Sequence, residues 1–189
     1  MRIGVFGGTF DPPHTGHALV AGDACDTLGL DTVLWIPVAQ QPLKDAPPLA
    51  PASDRRRMVE LAIDGDPRFS LDTVELDRGG LSFTVDTLEA LAERHRGAQL
   101  ALLVGADAWA SFERWREPKR ILELAEVAVI ARAGDAVPKL SGHKPEIVTA
   151  RRVDVSSTEI RDRVRRGLPI TGFVSDAVRE YIAAAGLYR

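Results

Sequence analysis

A single cysteine, Cys25, in 189 residues excludes an internal disulfide and any zinc site built from several thiolates. Long apolar runs are missing too, and no stretch of about 18 apolar residues reads as a membrane span. The opening residues show no basic segment followed by an apolar one, as a secretion signal would. A soluble cytoplasmic protein without a membrane partner is therefore expected. The formal net charge is only −3, so no nucleic-acid partner is expected, although a local basic cluster around a small anion is compatible with it. Repeats and low-complexity tracts are absent as well. What is there, 45% hydrophobic and 27% charged residues, suits one globular domain over residues 1–189 with a substantial core.

Strand-like and helix-like segments alternate along the chain. Arg2–Gly7, Thr32–Val38, Leu100–Val104 and Val127–Ala131 are short apolar runs expected to be buried strands. Phe69–Leu76 alternates as a half-exposed strand should, and Ile147–Val155 reads as extended. Helical patterns cover Ala18–Leu28 (closed by Gly29), Thr84–His95, Asp107–Trp115, Ile121–Ala125, Glu159–Arg166 and Asp176–Ala185. A further helix is expected to start from an N-cap at Ser53-Asp54 and run through Ala62. Pro42–Ala52, with four prolines, and the polar Gly134–Pro145 are irregular. The alternation predicts a single-domain, Rossmann-like α/β fold, doubly wound, with a mainly parallel sheet and helices on both faces. In such folds ligands lie beyond the C-terminal ends of the strands.

The unusual residues fall at those ends. Gly7-Gly8 follows the first strand, where a tight turn lets backbone N–H groups face a phosphate, but neither a Walker A nor a GxGxxG spacing is present. Asp11-Pro12-Pro13 fixes an extended approach to the first helix. His14 and His17, two of only four histidines, then flank Gly16 at the start of that helix. Imidazoles there can donate to phosphate oxygens and stabilise charge that develops in a transition state. A packed or surface role is the plainer use of a lone histidine, and no HExxH or cysteine partner makes the pair a metal site.

Near the C-terminus, Ser156 and Glu159 have capping-box spacing, while Ser157, Thr158 and Arg161 could form a second anion site. Capping alone would not require the arginine. Lys44 in the proline loop, Asp107 after the strand at Leu100–Val104, and Trp115 have ordinary uses as a solvated charge, a cap and a core residue. The run Arg55-Arg56-Arg57 reads as a solvated helix face.

GGTFDPPHTGH (Gly7–His17) together with SSTEIR (Ser156–Arg161) resembles the HxGH and ISSTxxR signatures of the nucleotidyltransferase superfamily, with Val155 in place of the isoleucine. Ser82–Leu88 (SFTVDTL), Gly105-Ala106-Asp107 with Trp115, and the Tyr181–Tyr188 end extend the resemblance to the bacterial nicotinate-nucleotide adenylyltransferase family over nearly the whole chain. The resemblance implies ATP and nicotinate mononucleotide as partners, giving deamido-NAD and pyrophosphate by direct attack on the α-phosphorus. It implies that His14, His17 and Arg161 are catalytic, and that Gly7, Gly8, Thr9 and Phe10 bind ATP through backbone. Gly105 and Asp107 would contact ribose, and Ser157, Thr158 and Arg161 the β- and γ-phosphates. Lys44, Thr84 and Trp115 would hold nicotinate mononucleotide, with Trp115 stacked on its ring. Mg²⁺ would arrive with the ATP phosphates, without a dedicated protein site.

Leu43 stands where many relatives carry a loop histidine, which puts substrate contacts there in question. Alternative acceptors are nicotinamide mononucleotide, phosphopantetheine or a cytidylyltransferase substrate. A non-catalytic nucleotide-binding module is the alternative of a different class. The sequence leaves acid or amide preference and the oligomeric state, a homo-oligomer included, undetermined.

Overall fold

The computed structural model describes residues 1–42, 47–132, 137–140, 142–151 and 153–189. Its strands are β1 (Arg2–Gly8), β2 (Thr32–Pro37), β3 (Phe69–Leu71), β4 (Gln99–Gly105), β5 (Glu126–Arg132) and β6 (Glu146–Ala150). They pair in the order 3-2-1-4-5-6, and every pair is parallel. The helices are α1 (Thr15–Leu28), α2 (Ala52–Ile63), α3 (Val74–Arg78), α4 (Thr84–Arg94), α5 (Ala106–Ala110), α6 (Pro118–Leu124), α7 (Ser157–Arg165) and α8 (Asp176–Ala185). Among the described residues none is long and apolar enough to cross a membrane.

The period-two geometry of a strand explains why the central strands are apolar throughout. Ile3 and Val5, Leu34 and Ile36, and Leu100 and Leu102 enter one layer, where Leu88 and Leu91 of α4 and Ile121 of α6 cover them. Their neighbours Val33, Trp35, Ala101 and Leu103 enter the opposite layer against Ala21, Ala24 and Leu28 of α1. A third cluster joins Met58 of α2, Ile160 of α7, and Val178 and Ile182 of α8. This cluster seats the two C-terminal helices beside the end of β1.

Several boundaries differ from the expected ones. The strand at Phe69 stops at Leu71, because Asp72 Oδ1 accepts from the Val74 N–H at 2.9 Å and turns the chain into α3. Alternation in FSLDTVEL therefore reflects a strand followed by a helix. α2 begins at Ala52 with Pro51 ahead of it, so Ser53-Asp54 is not the N-cap. The Asp54 carboxylate instead accepts from Tyr181 Oη at 2.6 Å, tying α2 to α8. The helix expected over Asp107–Trp115 is broken into α5 and a 3-10 turn at Phe112–Arg114, after which Trp115 is extended. The expected Ile147–Val155 strand ends at Ala150.

The order 3-2-1-4-5-6 makes the chain leave the β1 and β4 ends in opposite directions. A crevice opens between them at the C-terminal edge of the sheet. Gly7, Gly8 and Gly105 stand at its mouth.

Candidate active site

The loop that leaves β1 is held from beneath. Phe10 adopts φ 48°, is 2% exposed and stacks on Trp35 with ring centroids 5.1 Å apart. A Cβ on Gly8 would meet that ring at 2.8 Å, so only glycine fits there. The side chain of Phe10 is thus an anchor in the core, and only its backbone is left to face a ligand.

Polar ties complete the hold. Arg55 Nη1 donates to the carbonyls of Thr9 (2.9 Å) and Val38 (2.7 Å). Arg161 Nη1 donates to the Asp11 carbonyl at 2.8 Å, and Ser157 Oγ to the Pro12 carbonyl at 2.8 Å. The Asp11 carboxylate, 4% exposed, accepts from the N–H groups of Leu49 (2.7 Å) and Ala50 (3.1 Å) and from Tyr188 Oη (2.7 Å).

This fixed loop delivers His14 to the N-cap of α1. The imidazoles of His14 and His17 stack with centroids 3.7 Å apart. The His14 N–H donates to His17 Nδ1 at 3.1 Å, which leaves the proton of neutral His17 on Nε2. Burial pushes His14 down to about 4, and pushes His17 well below its usual 6.5, with His14 adding to the effect. Both rings are therefore held as neutral hydrogen-bonding groups at pH 7. Gly16 is required by this stack, since a Cβ there would lie 3.0 Å from His14 Nδ1. The first-turn N–H of Thr15 is already bound to the Phe173 carbonyl at 2.9 Å, so the helix terminus itself offers less than the sequence suggested.

Two cavities open side by side over the crevice. One, of about 540 Å³, is walled by His14, His17, Gly105, Asp107 and Arg151. The other, of about 550 Å³, is walled by Gly7, Thr84, Glu75, Gly105, Asp107 and Trp115. Phe6, Gly105, Asp107 and Ala108 belong to both, so the cavities meet at the ends of β1 and β4. Each falls within the size range of small-molecule sites. Trp115 is partly buried, with its Nε1–H towards Ser111 Oγ at 3.4 Å and its ring 5.5 Å from that of Phe112.

Comparison with known proteins adds a family relationship to this geometry. Residues 5–163 match the family model described as cytidylyltransferase-like. A protein of Gemmatimonas aurantiaca named "Probable nicotinate-nucleotide adenylyltransferase" is 49% identical, covering 100% of this chain and 93% of that one. One of Roseiflexus with the same name is 43% identical over 99% and 98% of the two chains. The chain belongs to the nicotinate-nucleotide adenylyltransferase family, within the cytidylyltransferase-like proteins. A solved nicotinic acid mononucleotide adenylyltransferase of Plasmodium falciparum, complexed with NaAD, shares the fold with a TM-score of 0.79. It covers 99% of this chain and 97% of its own at 17% identity.

For this adenylyltransferase family member, the structure sorts the expected residues into distinct places. His14, His17, Gly105 and Asp107 gather around one cavity, and Gly7, Thr84 and Trp115 around its neighbour. Gly8, Thr9, Phe10, Ser157, Thr158 and Arg161 are outside the described walls. Ser157 and Arg161 tie α7 to the loop, and Arg161 Nη2 also donates to Thr158 Oγ1 on the same helix at 3.1 Å. Arg161 Nε is buried without a partner. Ser156 Oγ accepts from the Glu159 N–H at 3.2 Å, so its capping role holds. Lys44 and Leu43 lie outside the described residues.

The Arg55–Arg57 run is corrected in part. Arg56 and Arg57 are exposed and pair with Glu60, but Arg55 is 2% exposed beneath the active loop. Three arginines in a row on a helix point in different directions, and nothing in the run marks the buried one. Tyr188, the Asp11 carboxylate and Glu75 were also missed, because their partners are far away in sequence or lie in a misassigned strand.

Proposed function

We propose that this chain transfers the adenylyl group of ATP to nicotinate mononucleotide, releasing pyrophosphate and deamido-NAD. The observation that carries this reading is the pair of cavities meeting at Gly105 and Asp107. The triphosphate would lie along His14 and His17, and the pyridine end of the acceptor would stack on Trp115 beside Thr84. The acceptor phosphate oxygen attacks the α-phosphorus. A new P–O bond forms as the bond to the β-phosphate oxygen breaks, and the electron pair leaves with pyrophosphate.

Such a reaction needs alignment and charge stabilisation rather than a protein nucleophile. His17 Nε2–H is oriented by the His14 N–H and can donate to a phosphate oxygen as charge shifts. Arg161, held on the Asp11 carbonyl through Nη1, keeps a permanent positive charge against the loop that carries the two histidines. Among the described residues no cluster of three or more His, Cys, Asp or Glu is gathered. Magnesium would travel with the ATP phosphates, where it would neutralise charge, with the Asp107 carboxylate at the seam of the two cavities.

The test is pyrophosphate release with ATP and nicotinate mononucleotide, nicotinamide mononucleotide or phosphopantetheine. Nicotinate mononucleotide should give the highest kcat/KM. No release with either pyridine mononucleotide would refute the assignment.

A further inference from the structure

The cavity walled by His14 and His17 runs along the sheet edge as far as β6, and its far half differs in chemistry from the half at the histidines. Ile130 and Ala131 of β5, Ala150 at the end of β6, and Val153 and Val155 beyond it make that half aliphatic. Arg151, the residue after β6, is the only lysine or arginine among the described walls. Its side chain lies against Asp23 of α1. Nη2 donates to Oδ1 at 2.6 Å, Nε to Oδ2 at 3.1 Å, and the Arg151 backbone N–H to Oδ2 at 3.3 Å. Asp23 stands nine residues along the chain from His14, a rise of about 13 Å on a helix. The pair and the histidines therefore mark opposite ends of the cavity.

The carboxylate takes up one edge of the guanidinium and offsets its charge, so the pair attracts a phosphate weakly. What remains available is the plane. Among the described residues, rings lie over the guanidinium groups of Arg68, Arg116 and Arg163, and none lies over that of Arg151. Phe6 cannot serve a base instead, since it is 8% exposed and meets Phe10, His17 and Trp35 edge to face. A guanidinium is planar and weakly hydrated, and it stacks on aromatic faces, nucleobases included. Aliphatic walls around it favour a base over a phosphate, which would lose its hydration there.

We propose that Arg151, held by Asp23, is the platform on which the adenine ring of ATP stacks in the far half of this cavity. The inference rests on the reading of this cavity as the ATP site. Asp23 is a positioning residue, because its bonds fix side-chain rotamers that a free arginine would have to give up on binding.

The experiment uses the full chain, Arg151→Ala, Arg151→Lys and Asp23→Asn. It measures KM for ATP, KM for nicotinate mononucleotide, and inhibition by pyrophosphate, the product that carries phosphates without a base. Arg151→Ala should raise KM for ATP about tenfold, as loss of one stacked base does. Its pyrophosphate inhibition constant should stay within about twofold, since the phosphates lie at the other end. Arg151→Lys keeps the charge without the plane and should match the alanine variant. Asp23→Asn should raise KM for ATP by a smaller factor, about threefold. A KM for ATP in Arg151→Ala within about twofold of wild type overturns the inference. So does a pyrophosphate constant that rises in step with it, or a wild-type KM in Arg151→Lys, because either assigns the charge to the phosphates. Parallel losses for ATP and nicotinate mononucleotide, with a lower unfolding temperature, would make the pair a structural tie and overturn it as well. Turnover of neither pyridine mononucleotide by the wild type overturns the activity reading, and this inference with it.

Discussion

Replacing Gly16 by alanine separates what the His14–His17 stack contributes to catalysis from what it contributes to stability. The added methyl would lie 3.0 Å from His14 Nδ1, 3.1 Å from Cε1 and 3.4 Å from Val153 Cγ1. Gly16 is the second residue of α1, with no left-handed backbone to strain. Alanine there gains up to about 1 kcal/mol of helix propensity, and less in a first turn. Against this, overpacking costs about 1–3 kcal/mol where neighbours cannot move. His14 is a side chain at the edge of a cavity and can swing away, so the net stability change should stay within about 1 kcal/mol. The imidazole, however, leaves its 3.7 Å stack on His17. A displacement of about 1 Å in such a group lowers turnover on the order of 10²-fold. Urea unfolding together with steady-state kinetics checks both halves. A kcat within threefold of wild type would refute the role given to His14, and a loss above about 3 kcal/mol would make Gly16 a packing residue.

Three further outcomes are expected. Because His14 is pushed down to about 4 and His17 is lowered too, the unfolded chain takes up protons first as pH falls below 6.5. Stability should drop between pH 6.5 and 4, by at most about 3 kcal/mol for His14 and less with solvent screening. Thermal unfolding of wild type and His14→Gln over this range would show the difference, and equal slopes would refute it. Tyr188→Phe removes a donor from the buried Asp11 carboxylate and should cost about 1.5–3 kcal/mol by urea unfolding. An unchanged midpoint would mean that the C-terminal tie is idle. Trp115→Ala should raise KM for the pyridine acceptor more than KM for ATP, whereas equal losses would make Trp115 a packing residue.

How much of this was legible follows from where each signal resides. Central strands were readable because both faces are buried, so Ile3–Phe6 and Leu100–Val104 are apolar without interruption. Asp72 shows the limit: one side chain's bond to the Val74 N–H converted half of an expected strand into α3. With that strand misread, Glu75 looked half-exposed rather than buried in the cavity wall. The His14–Gly16–His17 triplet was recognisable from spacing, but the reason for its glycine is a ring contact that needs coordinates.

Ser157 and Arg161, which the resemblance assigns to phosphate, also bond the carbonyls of Pro12 and Asp11 in the fold. Sequence carried the periodicity of the layers, the order of strands and helices, and the residue types of the loop after β1. These depend on local geometry and residue type, which neighbours along the chain encode. Tertiary structure decided which arginine of Arg55–Arg57 is buried, which partner Tyr188 finds, and that Glu75 is buried against Thr87. Those outcomes depend on contacts across 12 to 177 residues of chain, where burial leaves a polar group only the partner that the fold brings to it.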